Sequence, residues 1–203
     1  MPWSHEKTAL TARCGNGPGS SIAIVVVWCF LVLLSPDPQV LGQTYWDREN
    51  GFSMTFPEGW TLFEKKGTKP VVGAKSSKGD RIIVTIDPLA PKYRGKYKNI
   101  IEIPGYAAYT KDVIVKGLRG YLLDSGTMDL SNRKALWNRF ALIHTKGSGK
   151  RYLIIYQVQT LKKNRIYSIT VTVRGRNRAE ALKRYTSLRH ILKKSIASFH
   201  LDP

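Results

Sequence analysis

KALWNRFALIH (Lys134–His144), RYLIIYQVQT (Arg151–Thr160) and RIYSITVTV (Arg165–Val173) follow one another with only short polar connections between them. β-Branched and aromatic residues dominate all three, as suits the pleated, half-buried surface of a strand. Lys146-Gly147-Ser148-Gly149-Lys150 joins the first pair and Leu161-Lys162-Lys163-Asn164 the second, both short enough for hairpins. The three segments are therefore expected to form an antiparallel meander. Tyr152, Ile154, Tyr156 and Val158 alternate onto one face of its middle strand, which marks that face as core. Beyond the meander, Asn177 is placed to cap a closing helix. Its apolar positions Ala181, Leu182, Tyr185, Leu188, Leu192, Ile196 and Phe199 recur at three- and four-residue spacing.

Working outward, Gly51–Phe56 (GFSMTF) alternates apolar and polar residues and reads as a strand after a polar lead-in over Trp46–Asn50. Pro57-Glu58-Gly59 is a turn, and Trp60–Phe63, Pro70–Ala74 and Arg81–Ile86 are further strands. Asp87–Asn99 is a Pro- and Lys-rich loop. Pro104 starts a helix that ends before Gly120, with Ala108, Val113, Val115 and Leu118 as its inward positions. Tyr121–Leu130 returns to a strand, in which Gly126 marks a bulge. Strands, a middle helix, more strands and a long C-terminal helix describe an α+β domain with helices over the faces of a central antiparallel sheet.

Two of these segments resemble a known family. Gly51-Phe-Ser-Met-Thr-Phe-Pro-Glu-Gly-Trp60 is similar to the opening strand and Pro-x-Gly-Trp turn of PsbP-like domains. Arg165–Leu201, a tyrosine-bearing strand and a helix ending Ser195-Ile196-Ala197-Ser198-Phe199, resembles their closing strand and helix. The resemblance spans most of residues 45–201. It implies an α/β/α sandwich around an antiparallel sheet, the architecture shared with the Ran-binding Mog family. It also implies a binding or assembly protein with no catalytic motif and no cofactor. The extended N-terminal arm of plant PsbP has no evident counterpart, so the resemblance assigns no photosynthetic role.

Residues 1–42 differ in composition from the rest. Ser21–Leu34 (SIAIVVVWCFLVLL) is an uncharged apolar run, preceded by Lys7 and Arg13 and followed by Pro36 and Pro38. Val40 and Gly42 fit the spacing of a signal-peptidase site before Gln43. The run is shorter than the roughly 20 apolar residues of a spanning helix. The expectation is a signal peptide over 1–42 and an exported, periplasmic or extracellular, domain over 43–203. An uncleaved single-pass anchor through residues 21–35 is the alternative. Both cysteines, Cys14 and Cys29, lie in the leader, and Trp28 before Cys29 is too large for a lipoprotein signal. The mature chain then has no disulfide, cysteine nucleophile or thiolate metal site.

No catalytic, cofactor or metal set emerges from the remaining residues. Lys146–Lys150 has the look of a phosphate loop, but His144 and Arg151 stand where that motif needs Gly and Ser or Thr. His144, His190 and His200 have no ligand spacing. Asp124 and Asp129 flank one strand and read as surface carboxylates, and there is no Gly-x-Ser-x-Gly elbow. Trp60, Trp137, Tyr152, Tyr156 and Tyr167 read as core aromatics rather than a stacking platform for bases or sugars.

Charge is the remaining signal. The 203 residues carry a net charge of +19, yet residues 43–130 hold 14 Lys and Arg against 10 acids while 131–203 hold 17 against 2. The meander sorts the second group to two ends. One end gathers Lys146, Lys150, Arg151, Arg174, Arg176 and Arg178. The other gathers Arg133, Lys134, Lys162, Lys163 and Arg165, near Lys193 and Lys194, whose charge also complements the helix dipole. The expected function is an exported, non-enzymatic, membrane-associated binding or assembly domain whose basic patches meet an anionic partner. That partner is an envelope or membrane protein, or an anionic lipid or polymer surface. A nucleic-acid binder is the alternative, without a recognition motif. A hydrolase with an unrecognised site is the third class, without a convergent catalytic set.

Overall fold

The computed structural model describes residues 42–65, 71–146 and 149–202. The leader, with its expected cleavage or anchor segment, and Gly147 and Ser148 of the expected hairpin connection lie outside the described residues. In chain order the strands are β1 (Thr44–Asp47), β2 (Phe52–Thr55), β3 (Thr61–Lys65), β4 (Val71–Lys75), β5 (Arg81–Pro88), β6 (Tyr121–Leu130), β7 (Arg133–Lys146), β8 (Gly149–Lys162), β9 (Arg165–Gly175) and β10 (His200–Leu201). Helix α1 (Tyr106–Asp112) continues into a π-turn over Val113–Gly117, and α2 spans Arg178–Ala197. β3 to β9 form one antiparallel sheet in the order β3-β4-β5-β9-β8-β7-β6, and β1, β2 and β10 form a small second sheet.

The meander is present, with strands longer than the alternation alone indicates. β7 pairs with β8 from Leu136↔Gln159 to Lys146↔Gly149, and β8 with β9 from Tyr152↔Gly175 to Lys162↔Arg165. Two hairpins close through left-handed pairs, Ser131-Asn132 (φ 51° and 58°) and Lys163-Asn164 (φ 46° and 63°). That backbone matches the right-handed twist of the strands they join.

Alternation divides the sheet into two packed faces. Ile82, Val171 and Tyr156 stand in one cross-strand row and Val84, Ile169, Val158 and Trp137 in the next. Ala181, Tyr185, Leu192 and Ile196 of α2 pack on these rows. Asn177 caps that helix, its side chain accepting from the Glu180 N–H at 2.9 Å. On the opposite face Leu136, Leu161 and Ile166 meet Leu89, Ile100 and Ile103 of the loop before α1, while Phe140 and Ile155 meet Ile114. Layers on both sheet faces give an α+β sandwich. No helix among the described residues is long and apolar enough to cross a membrane.

Three local expectations are corrected. The inward positions of α1 and its π-turn are Tyr106, Thr110 and Ile114, four residues apart; Ala108, Val113, Val115 and Leu118 face outward. The charged Lys111, Asp112 and Lys116 share the outward side with the apolar Val113 and Val115, while the polar Thr110 is buried with its hydroxyl donating to the Tyr106 carbonyl at 2.9 Å, so residue polarity alone does not mark the inward side. The irregularity in β6 falls between Leu122 and Asp124, whereas Gly126 pairs in register with Trp137. Trp46 and Asp47 of the polar lead-in belong to β1, paired from Thr44↔Thr55 to Asp47↔Phe52, and Arg48–Asn50 form the turn that follows.

Candidate functional site at the basic end of the meander

The first end of the meander is organised by a carboxylate. Asp80 ends the β4–β5 turn and is 2% exposed. Its Oδ1 accepts from the Arg174 backbone N–H at 3.1 Å, and its Oδ2 pairs with Arg184 Nη2 and accepts from Ser76 Oγ at 3.3 Å. One buried acid thus fastens a turn, the end of β9 and the first half of α2 to one another. A buried charge requires such partners.

Gly175 brings the helix close. A Cβ there would lie 2.4 Å from the Ala181 backbone nitrogen, so only glycine lets the first turn of α2 rest on the end of β9. Arg176 then donates from its backbone N–H (3.0 Å) and its Nε (2.9 Å) to Glu180 Oε2. These hydrogen bonds from Arg176 hold the Glu180 carboxyl below its usual range.

The result is a concave site of about 190 Å³ lined by Lys78, Arg151, Arg174, Arg176, Glu180 and Arg184, with Gly175 at its base. Arg174 Nε is buried there without a hydrogen-bond partner among the described residues. Five cations against one lining carboxylate give the site a strong preference for anions, and the positive end of α2 adds to it.

Of the residues read as this patch, Arg151, Arg174 and Arg176 line the site, and Lys150 stands exposed at the start of β8. Arg178 turns aside and lies over the Tyr121 ring, 5.8 Å from its centroid. Lys146 closes β7 at the same end. Lys78 and Arg184 were not legible as members. The pairing Arg81↔Thr172 brings the β4–β5 turn beside the end of β9, and that long-range contact leaves no local signal.

The second end differs. Arg133 Nη1 donates to the carbonyls of Lys98 (3.1 Å) and Leu161 (3.2 Å). Lys134 pairs with Asp129 at 2.8 Å, and Arg165 donates to Asn50 Oδ1 at 3.1 Å. Lys162 is 6% exposed, and burial, then the charges of Lys163 and Arg133, lower the pKa of its ammonium. Lys163 occupies the left-handed turn beside it. Arg133, Lys134 and Arg165 brace the strand ends, and the cations of this end do not line a common cavity among those described.

Asp124 and Asp129 are held in cross-strand pairs with Arg139 and Lys134. No group of three metal-ligating side chains occurs among the described residues. Tyr167 is buried, and Trp60, Trp137, Tyr152 and Tyr156 pack half-buried against the core.

No protein-family model matches the chain, and no curated protein matches it. Among solved structures, cyanobacterial PsbP (CyanoP) from Synechocystis sp. PCC 6803 aligns with a TM-score of 0.55 at 13% identity, over 82% of this chain and 96% of that one. LpqN, described as involved in cell envelope biogenesis of Mycobacterium tuberculosis, aligns with a TM-score of 0.49 at 12% identity, over 92% and 100% of the two chains. A Bacteroides thetaiotaomicron VPI-5482 protein gives 0.47 at 12% identity, over 80% of this chain and 49% of its own. At such identities the likeness concerns architecture, and the cyanobacterial structure carries it. The expected sandwich is the observed one, and the fold of this chain is PsbP-like.

Proposed function

We propose that this chain is an exported, non-enzymatic binding domain that docks on an anionic lipid surface through the first end of its meander. The reading rests on one observation: Lys78, Arg151, Arg174, Arg176 and Arg184 converge on a single concavity. Lipid headgroups are favoured over a purely polar polymer by the surface beside it. Tyr121, which meets Arg178, is 65% exposed, and Val115, Leu118 and Ile143 are 49%, 51% and 61% exposed. Basic residues next to exposed apolar and aromatic ones are the combination that binds a headgroup layer and dips into its acyl boundary.

Each interfacial cation contributes about 1 kcal/mol at an anionic surface, screened by salt. Sedimentation with vesicles of phosphatidylglycerol and phosphatidylcholine tests the reading. Retention is expected on the anionic vesicles, falling as salt rises. The exposed double variant Lys78→Glu/Arg151→Glu should bind at least about tenfold more weakly, while Lys134→Glu/Arg165→Glu at the other end should bind as before. Equal binding to both vesicles, or equal losses from both variants, overturns the proposal. Salt-sensitive retention on DNA without vesicle binding would favour the nucleic-acid alternative.

A further inference from the structure

Helix α2 covers β9 and β8 on the first face of the sheet, and beyond its second half the face continues across β7 to β6. Between them lies a half-open groove of about 410 Å³, within the roughly 300–1,000 Å³ of small-molecule sites. Its floor is apolar. Trp137 and Tyr156 lie with ring centroids 5.7 Å apart, flanked by Met128, and Tyr185, Leu192 and Ile196 of α2 form the wall. Gly126 makes the floor possible, because a Cβ there would stand 3.0 Å from the Trp137 ring. A larger residue at position 126 would press on the indole, which would have to give by a few tenths of an ångström.

The charges of the groove are unbalanced. Asp124 is its one lining carboxylate, and Arg139 holds both of its oxygens, Nε to Oδ1 at 2.8 Å and Nη2 to Oδ2. Arg139 also lies over the Tyr185 ring, 5.6 Å from its centroid. Arg189 and Lys193, four residues apart on one side of α2, are exposed along the rim, and no other acid lines the groove to neutralise them. The Tyr156 hydroxyl donates to Met128 Sδ at 3.7 Å, a weak acceptor that a ligand oxygen would displace. Burial pushes that hydroxyl up to about 12.

We propose that this groove binds an amphipathic anion, an apolar chain or ring lying on Trp137 and Tyr156 with its carboxylate or phosphate head held by Arg189 and Lys193. A neutral apolar ligand would leave the cationic rim unused. A purely polar anion would leave the aromatic floor wet. The site is separate from the basic end of the meander, whose lining residues it does not share.

The test is titration of the purified protein with dodecanoate, dodecyl phosphate and dodecanol below their aggregation limits, followed by calorimetry and tryptophan fluorescence. Both anions should bind saturably at one site, with dodecanol about tenfold weaker. Arg189→Glu/Lys193→Glu should weaken the anions about tenfold and leave dodecanol unchanged. Ala197→Trp, an exposed position on the rim, should block all three ligands without moving the urea midpoint. Trp137→Phe should abolish most of the fluorescence response, and Lys78→Glu/Arg151→Glu should change nothing. Absence of saturable binding, dodecanol binding as tightly as the anions, or sensitivity to Lys78 and Arg151 in place of Arg189 and Lys193 overturns the assignment.

Discussion

At one end of the meander Arg151, Arg174 and Arg176 meet Lys78 and Arg184 around a shared cavity, while at the other Arg133, Lys134 and Arg165 each hold a separate neighbour. Both ends look alike as sequence, and the difference lies in what the rest of the chain brings to them. The loop before α1 delivers the Lys98 carbonyl and the Asn99 side chain to the second end, the latter accepting from the Lys134 N–H at 3.2 Å. The first end receives two acids, Asp80 and Glu180, which orient arginines without cancelling the surplus. A count of positive residues therefore says little about binding until the acceptors around each are known.

The sharpest way to break the first end is to remove its organiser. Asp80→Ala leaves the Arg184 guanidinium beside an empty site and frees the end of β9 and the β4–β5 turn. Losing one partner of a buried charge pair costs about 3 kcal/mol. Urea unfolding should show that loss, and vesicle binding should fall with it. Full stability in this variant would mean that Asp80 does not organise the site.

At the second end Arg133→Ala should cost about 1.5 kcal/mol by leaving the Lys98 and Leu161 carbonyls without a charged donor. Its vesicle binding should match the parent protein at equal folded fraction. Any loss of binding beyond the unfolded share would erase the division between the two ends.

How much of this was legible followed from how local each signal is. The meander and the capped helix were readable because alternation, turn length and an Asn177 cap act over a few residues. The grouping of Arg151, Arg174 and Arg176 followed from the same hairpin arithmetic. The parts that escaped depend on long-range placement. Lys78 and Arg184 join only through β5–β9 pairing and the seat of α2 on Gly175. The outward side of the π-turn after α1 escaped because Val113 and Val115 are as apolar as Ile114, and tertiary packing of Ile114 on Phe140 and Ile155 makes the choice. Residue type alone points to Gly126 as the bulge, whereas the glycine serves an approaching tryptophan.

Lys162 gives a smaller effect with a definite sign. Burial, together with Lys163 and Arg133, lowers its pKa in the folded state. The unfolded chain thus binds more protons in the interval between that lowered value and the ordinary lysine value near 10.4, so stability rises with pH there. Lys162→Met should raise stability by about 1 kcal/mol at neutral pH and flatten that rise. Urea midpoints compared at pH 7 and pH 10 check both. A destabilised variant would show that the ammonium contributes more as a partner than its burial costs.

The smallest effect concerns the one acid that lines the basic cavity. Glu180 lies three residues after the helix cap and accepts from both the backbone and side chain of Arg176. Its folded pKa is depressed by those bonds. Its stabilising contribution is therefore complete above the unfolded carboxylate value near 4.3 and fades as pH falls through the lower folded value. Glu180→Gln removes that acid-side dependence and releases Arg176 toward the cavity. Since the carboxylate orients one cation while subtracting one charge, its neutral isostere should bind anionic vesicles about threefold more tightly at pH 7. Weaker binding would mean that the angle Glu180 imposes on Arg176 matters more than the charge it subtracts. In that case the first end acts as a shaped receptor for a single anionic head, not as a diffuse field. Short-chain phosphatidylglycerol would then compete for the site where equal ionic strength of chloride would not.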